Sequence, residues 1–236
     1  MIGQSKKIVA ASGTLRVLAA LLSYPGSEMR THLSEMREIL RTEAALSPAR
    51  QIEINALIDV IERCAPLDAE ANYVELFDRG RVTSLHLFEH VHGESRDRGP
   101  AMIDLAQNYE KAGLYLAPGE LPDYLPAVLE FASTQPPREA RAFLGETAHI
   151  LNAIFSALQH RDTPYASVLG ALLELAGEKA HAVKPPVEMS LDESWAEPPV
   201  FDGCSTVGQA KPGQPQPGQP QPIHFVSRNA KTGAVA

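Results

Sequence analysis

The chain has 236 residues, 44% of them hydrophobic, enough to bury a sizeable core. Its 21 Lys and Arg against 29 Asp and Glu leave a formal charge of −8, which repels phosphate backbones and anionic membranes and argues against nucleic acid as a partner. Cys64 and Cys204 are the only cysteines, which excludes a disulfide framework and any cysteine-built zinc or iron–sulfur site.

Lys6 and Lys7 precede apolar residues, but Arg16 follows and no small-residue cleavage site closes an export signal. The longest early apolar run, Val17 to Leu22, falls far short of the roughly 20 residues that span a bilayer. A cytoplasmic protein without stable membrane insertion is expected. From Leu15 onward, apolar residues recur three and four apart, the period of amphipathic helices. Leu15, Leu18 and Leu22 form a first stripe, ended by Pro25-Gly26; Ser27 is the expected cap of a second, through Met29, Leu33, Met36 and Leu40. Ser47-Pro48 reads as an N-cap with proline in the first turn, opening a helix through Ile54, Ile58 and Ile61.

The stretch from Tyr73 to Asp104 crowds three His, six acids and four Arg into 32 residues. Tyr73, Leu76 and Phe77 share one helical face. Ser84 as N-cap and Gly93 as C′ residue would enclose a short helix, with Leu85, Leu87, Phe88 and Val91 on one half and His86, Glu89 and His90 on the other. His86-x-x-Glu89-His90 matches the inverted zinc-protease signature. A zinc-dependent hydrolase would need both imidazoles on the metal, Glu89 to activate water and a third ligand such as Glu174. No phosphate-binding loop, dinucleotide fingerprint or nucleophile elbow is present in the sequence. After Gly93, an ion-pair cluster of Glu94, Arg96, Asp97 and Arg98 is expected. A binding site for a partner helix uses the same residues, with Leu76, Phe77 and Phe88 as its apolar floor and His86, Glu89 and His90 at its rim. A generic helical scaffold is the third reading.

Further along, Phe143, Thr147, Ile150, Ile154 and Leu158 predict one long central helix, and Thr163-Pro164 opens a last one through Val168, Leu169, Leu172 and Leu175. No alternating strand pattern or hairpin turn interrupts them. The expected fold is all-α, a single bundle-like domain of about seven to nine helices over residues 1–181. Residues 182–236 hold 9 of the 19 prolines and include the low-complexity run Gln209 to Pro222, and so read as a flexible tail. Trp195 and Phe201 stand in an acidic part of that tail.

Tyr73-Val-Glu-Leu-Phe77 resembles the aromatic-x-x-Leu-Phe element of the helical chaperones that mature molybdenum oxidoreductases. Glu120-Leu-Pro-Asp123-Tyr124, continuing to Leu129-Glu130-Phe131, looks like their second element, with Tyr124 where several relatives have His. The run from Ser84 through His86, Phe88, Glu89, His90, His92, Glu94, Arg96 and Asp97 to Arg98 is similar to the NarJ branch, the assembly chaperones of membrane-bound respiratory nitrate reductase. The resemblance implies an all-helical chaperone that is neither an enzyme nor part of the mature reductase and needs no cofactor or metal of its own. Its partner would be the N-terminal segment of the nitrate reductase catalytic (alpha) subunit, kept open for molybdenum cofactor insertion before docking at the membrane. The client-binding residues it suggests are Tyr73, Leu76, Phe77, His86, Phe88, Glu89, His90, His92, Glu94, Arg96, Asp97, Asp123 and Tyr124. Imidazoles at that rim would make affinity sensitive to pH.

Overall fold

Helix α1 (Ser12–Leu22) is apolar on nearly every side, and Leu15, Val17, Leu18, Ala19, Leu21 and Leu22 are all buried. Only a helix at the centre of a fold can carry that pattern. Its first turn is held by another helix: the backbone N–H groups of Gly13 and Thr14 donate to the Glu43 carboxylate at 3.1 and 2.5 Å. An anion is the favourable partner for the unpaired donors and positive dipole end found there. The computed structural model describes residues 10–92 and 95–183. The tail assigned from residue 182 therefore lies outside the described residues from 184 onward, and Gly93 and Glu94 lie outside them too.

Helices α2 (Ser27–Thr31) and α3 (Leu33–Glu43) follow, then α4 (Pro48–Arg63) and α5 (Pro66–Phe77). A 3₁₀ turn (Arg81–Thr83) leads to α6 (Leu87–Val91) and α7 (Arg98–Lys111). The chain closes with α8 (Leu125–Thr134), α9 (Pro137–Glu146), α10 (Ala148–His160) and α11 (Ala166–Ala176). Helix α1 packs chiefly on α8, with α3 and α11 flanking it; α11 packs on α10, α9 and α4. Like α1, α11 is buried all round, from Val168 and Leu169 to Leu172 and Leu173. Each such Leu stabilises the fold by on the order of 2 kcal/mol before the entropy of ordering the chain is charged against it.

The all-α expectation holds, with no strand among the described residues beyond an isolated antiparallel pairing of His86 with Tyr124. The eleven described α-helices exceed the seven to nine expected, because two predicted runs are each broken once and short helices are added. The run from Ser27 to Leu40 breaks at His32, and Gly26, not Ser27, occupies its N-cap. The run from Phe143 to Leu158 breaks at Thr147, whose hydroxyl donates to the Leu144 carbonyl at 3.1 Å. Such a local bond gives the backbone an alternative to continuing the helix. The Ser47-Pro48 start of α4 is as expected, with the Ser47 hydroxyl accepting from Arg50 N–H. No described helix is long and apolar enough to cross a membrane.

Candidate functional site

The histidine-rich stretch is built around a carboxylate far away in sequence. Asp123, in the short connection before α8, is completely buried. Its Oδ2 accepts the Phe88 backbone N–H at 3.1 Å, and its Oδ1 faces His86 Nδ1 at 3.4 Å. Arg98 comes in from α7, with its guanidinium 3.8 Å from Asp123 Oδ2 and 3.7 Å from Glu89. A buried carboxylate persists only when partners replace its water, and here a backbone donor, an imidazole and an arginine do so. Backbone bonds from Leu87 N–H to Asp123 C=O (3.0 Å) and from Leu125 N–H to Leu85 C=O (2.8 Å) lock the two segments together.

That pairing decides the shape of the His86 region. His86 runs extended beside Tyr124, and the helix begins only at Leu87 with His86 as its N-cap. The helix expected from Ser84 therefore starts later than predicted. The Ser84 hydroxyl instead accepts the His86 N–H at 3.2 Å. Leu85 and Leu87 are buried as predicted, whereas Val91 is exposed rather than on an apolar face. His86 and His90 consequently do not project side by side from consecutive turns of one helix. His86 turns to Asp123, and His90 Nε2 donates to the Ser84 carbonyl at 2.9 Å. Glu174, nominated as a third zinc ligand, accepts from Ser47 N–H and hydroxyl at 2.6 and 3.0 Å. Among the described residues no group of three His, Cys, Asp or Glu side chains is arranged to hold a metal ion.

The Asp123 carboxylate beside His86 raises that imidazole's pKa; partial burial and the Arg98 charge pull the other way, with Glu89 adding to the rise. Tyr124 packs against the same ring, with centroids 5.4 Å apart, and its hydroxyl lies 3.0 Å from that of Tyr73. Burial pushes the Tyr73 and Tyr124 phenols up, so both stay neutral hydrogen-bonding groups.

The predicted site residues divide into a buried set and a surface set. Tyr73 and Phe77, expected as part of a peptide-binding face, are core residues, 4% and 5% exposed. They stack with each other and with buried Tyr165, and the Tyr73 hydroxyl donates to the Leu22 carbonyl at 2.8 Å. Asp123 is internal as well. Leu76 is half-buried and its carbonyl accepts the Thr83 hydroxyl. The structure brings Phe88, Glu89, His86, His90, His92 and Tyr124 together as a half-buried surface, with Phe88 and His92 edge to face at 5.4 Å. Arg96 and Asp97 are exposed beyond it. Glu94 lies outside the described residues. The expected ion-pair cluster after Gly93 is not what forms among the described residues. Arg98 reaches back to Asp123 and Glu89, while Asp97 accepts from the Ser95 hydroxyl at 3.1 Å.

Sequence reasoning missed Tyr109. It is buried, its hydroxyl donates to the Pro122 carbonyl at 2.8 Å, and its ring lies 4.8 Å from that of Phe131. The spacing of Met102, Leu105 and Tyr109 was the available signal.

The layered helices and the satisfied Asp123 hub define an all-α protein in which these polar groups hold the histidine-rich segment in place. The fold is that of a solved redox enzyme maturation protein from Archaeoglobus fulgidus, with a TM-score of 0.50 over 71% of this chain and 94% of the other, at 18% identity. At the level of sequence, the family model for the nitrate reductase delta subunit matches residues 43–170. The chain is 41% identical over 193 residues to the nitrate reductase molybdenum cofactor assembly chaperone NarJ of Escherichia coli K12, covering 78% of this chain and 82% of the relative. It is 42% identical to the probable assembly chaperone NarW of the same strain over 69% of this chain and 68% of the relative. The chain belongs to the nitrate reductase delta subunit family, and the two Escherichia coli relatives just described are named as assembly chaperones. It is not a catalytic enzyme, and the zinc-hydrolase reading of His86, Glu89 and His90 is overturned by that membership and by the directions those side chains take.

Proposed function

We propose that the chain is the dedicated assembly chaperone of a respiratory nitrate reductase. In this reading it works in the cytoplasm, binds the N-terminal segment of the catalytic subunit, and holds that apoprotein open until the molybdenum cofactor has entered. It leaves before or at docking to the membrane and is no part of the finished enzyme. The observation that carries the reading is the match to a named assembly chaperone of nitrate reductase over 193 residues at 41% identity.

The chemistry of the site supports binding rather than turnover. Asp123 is spent on a backbone N–H, an imidazole and an arginine, and His90 on a carbonyl, so these groups act as scaffolding. What remains for a client is the half-buried surface of Phe88, His86, Glu89, His92 and Tyr124, continued by exposed Arg96 and Asp97. Such a surface has the apolar centre and polar rim that a helical peptide requires. Tyr73 and Phe77 contribute from below by fixing Tyr124, not by touching the client.

Calorimetry with a synthetic peptide of the catalytic subunit's N-terminal segment tests the reading. Stoichiometric binding that weakens on Phe88→Ala, with melting unchanged, agrees with it. No binding at any concentration up to solubility contradicts it.

A further inference from the structure

Three phenols meet at one edge of the surface assigned to the client, and their hydrogen bonds fix which way each can act. Leu22 ends α1, and its carbonyl is one of the groups that a helix leaves without an intrahelical donor. The residue is fully buried, so the proton must come from the protein, and the Tyr73 hydroxyl supplies it at 2.8 Å. A phenol has a single proton to give. In the 3.0 Å contact between the Tyr73 and Tyr124 hydroxyls, Tyr124 is therefore the donor and Tyr73 the acceptor. Tyr24, whose ring meets Tyr73 edge-on at 5.7 Å, gives its own proton to Glu70 at 3.0 Å. The two phenols that reach the surface, half-buried Tyr124 and 48% exposed Tyr24, are thus left as acceptors, and no donor among the described residues occupies their remaining lone pairs.

The carboxylate beside them points the same way. Asp78, the C-cap of α5, is exposed and has no ion-pair partner among the described residues. It lies close enough to all three phenols to add to the rise in their pKa, behind the Glu70 hydrogen bond for Tyr24 and behind burial for Tyr73 and Tyr124. The neighbouring cation, Arg79, is turned to Glu75 at 2.9 Å. Tyr124 in turn packs against the His86 ring, so this edge is continuous with the His86 and Phe88 surface.

We propose that Tyr24, Tyr124 and Asp78 form a subsite that takes one lysine or arginine side chain of the client segment bound across the His86 and Phe88 surface. The inference rests on the reading of the chain as an assembly chaperone and adds to it a rule of selection. An ammonium or guanidinium has donors and no acceptor, so each phenol oxygen can accept from it while Asp78 balances its charge. The two rings offer it the negative faces of their π-systems as well. A client carboxylate at the same place meets a like charge and finds no proton. Turning the Tyr124 proton outward to meet it would strip the buried Tyr73 oxygen of its donor. Tyr73 never touches the client, yet it sets the polarity of the group that does.

Calorimetry on the full chain, with a synthetic peptide of the nitrate reductase catalytic subunit's N-terminal segment, tests this. The peptide is also made with each Lys or Arg in turn replaced by acetyl-lysine or citrulline, which keep the stem and remove the charge. One of these replacements lowers affinity by about fivefold or more. Tyr124→Phe lowers affinity for the unmodified peptide by about tenfold and Asp78→Asn by about threefold, with the melting of each variant checked alongside. Once that one charge is gone, the two variants lose far less, the coupling expected of groups in contact. If the peptide binds and no single neutralisation matters, or the losses from variant and peptide simply add, the subsite is refuted and the chaperone reading stands. A segment that binds without any Lys or Arg refutes it likewise. A peptide that binds neither the native chain nor either variant removes the chaperone reading and the subsite with it.

Discussion

Replacing Asp123 by Ala removes the carboxylate around which the histidine-rich segment folds. Asp123 has no exposed surface, so solvent cannot take over its role. The Phe88 N–H loses its acceptor, which costs about 1–3 kcal/mol for a buried donor. Arg98 and His86 lose the charge they face, and one-sided removal of a buried charge pair costs up to about 3–5 kcal/mol. Both partners are part-exposed and more than 3 Å away, so the lower end applies, and we expect a total near 3 kcal/mol. For a domain of this size that lowers the melting temperature by about 6–12 °C. The same carboxylate raises the His86 pKa. Because the folded value lies above the unfolded one, protonated His86 stabilises the fold fully below about pH 6.5, and that contribution is lost as pH rises through the raised folded value. Urea melts of the native chain and of Asp123→Asn across that window measure the slope, and ring NMR follows His86 directly. An Asp123→Ala loss below about 0.5 kcal/mol, or a His86 titration unmoved by Asp123→Asn, refutes the hub.

Phe77→Ala should destabilise the chain by about 3–5 kcal/mol in denaturant melts, as for any large buried aromatic, and weaken client binding only in proportion to unfolding. Glu43→Ala leaves the Gly13 and Thr14 N–H groups at the head of α1 without their acceptor and should cost about 1–2 kcal/mol, read from the same melts. Gly177 ends α11 at a φ of +87°, and an added Cβ would run into the Arg141 guanidinium. Gly177→Ala should therefore cost about 1 kcal/mol or more in the same melts, because alanine is strained at that φ even though it is the better helix former.

The sequence carried the helix class and the start of α4 plainly, because apolar period and the Ser47-Pro48 cap are local signals. The breaks at His32 and Thr147 were illegible, since nothing in residue type forbids helix there and the surrounding packing decides. The face of the Tyr73 helix was ambiguous for a different reason. Tyr73 and Phe77 have the pattern of either a core stripe or a groove, and only the presence of Tyr165 and Leu22 against them resolves it. The main element of the site was out of reach of local reading: Asp123 stands 37 residues from His86, and the pairing of the two segments takes His86 off the expected polar helix face and holds it extended, while Glu89 and His90 stay on the helix. Glu89, His90 and Arg98 were visible as a dense charged run, but the destination of each side chain depends on that long-range pairing.

The most direct test of the account is the molybdenum content of the nitrate reductase catalytic subunit made in cells with and without this chain. With the chain present the subunit should carry its cofactor; without it the polypeptide should still accumulate, depleted in molybdenum and unable to reduce nitrate. A subunit fully loaded with molybdenum and active in cells that lack the chain would contradict the central claim.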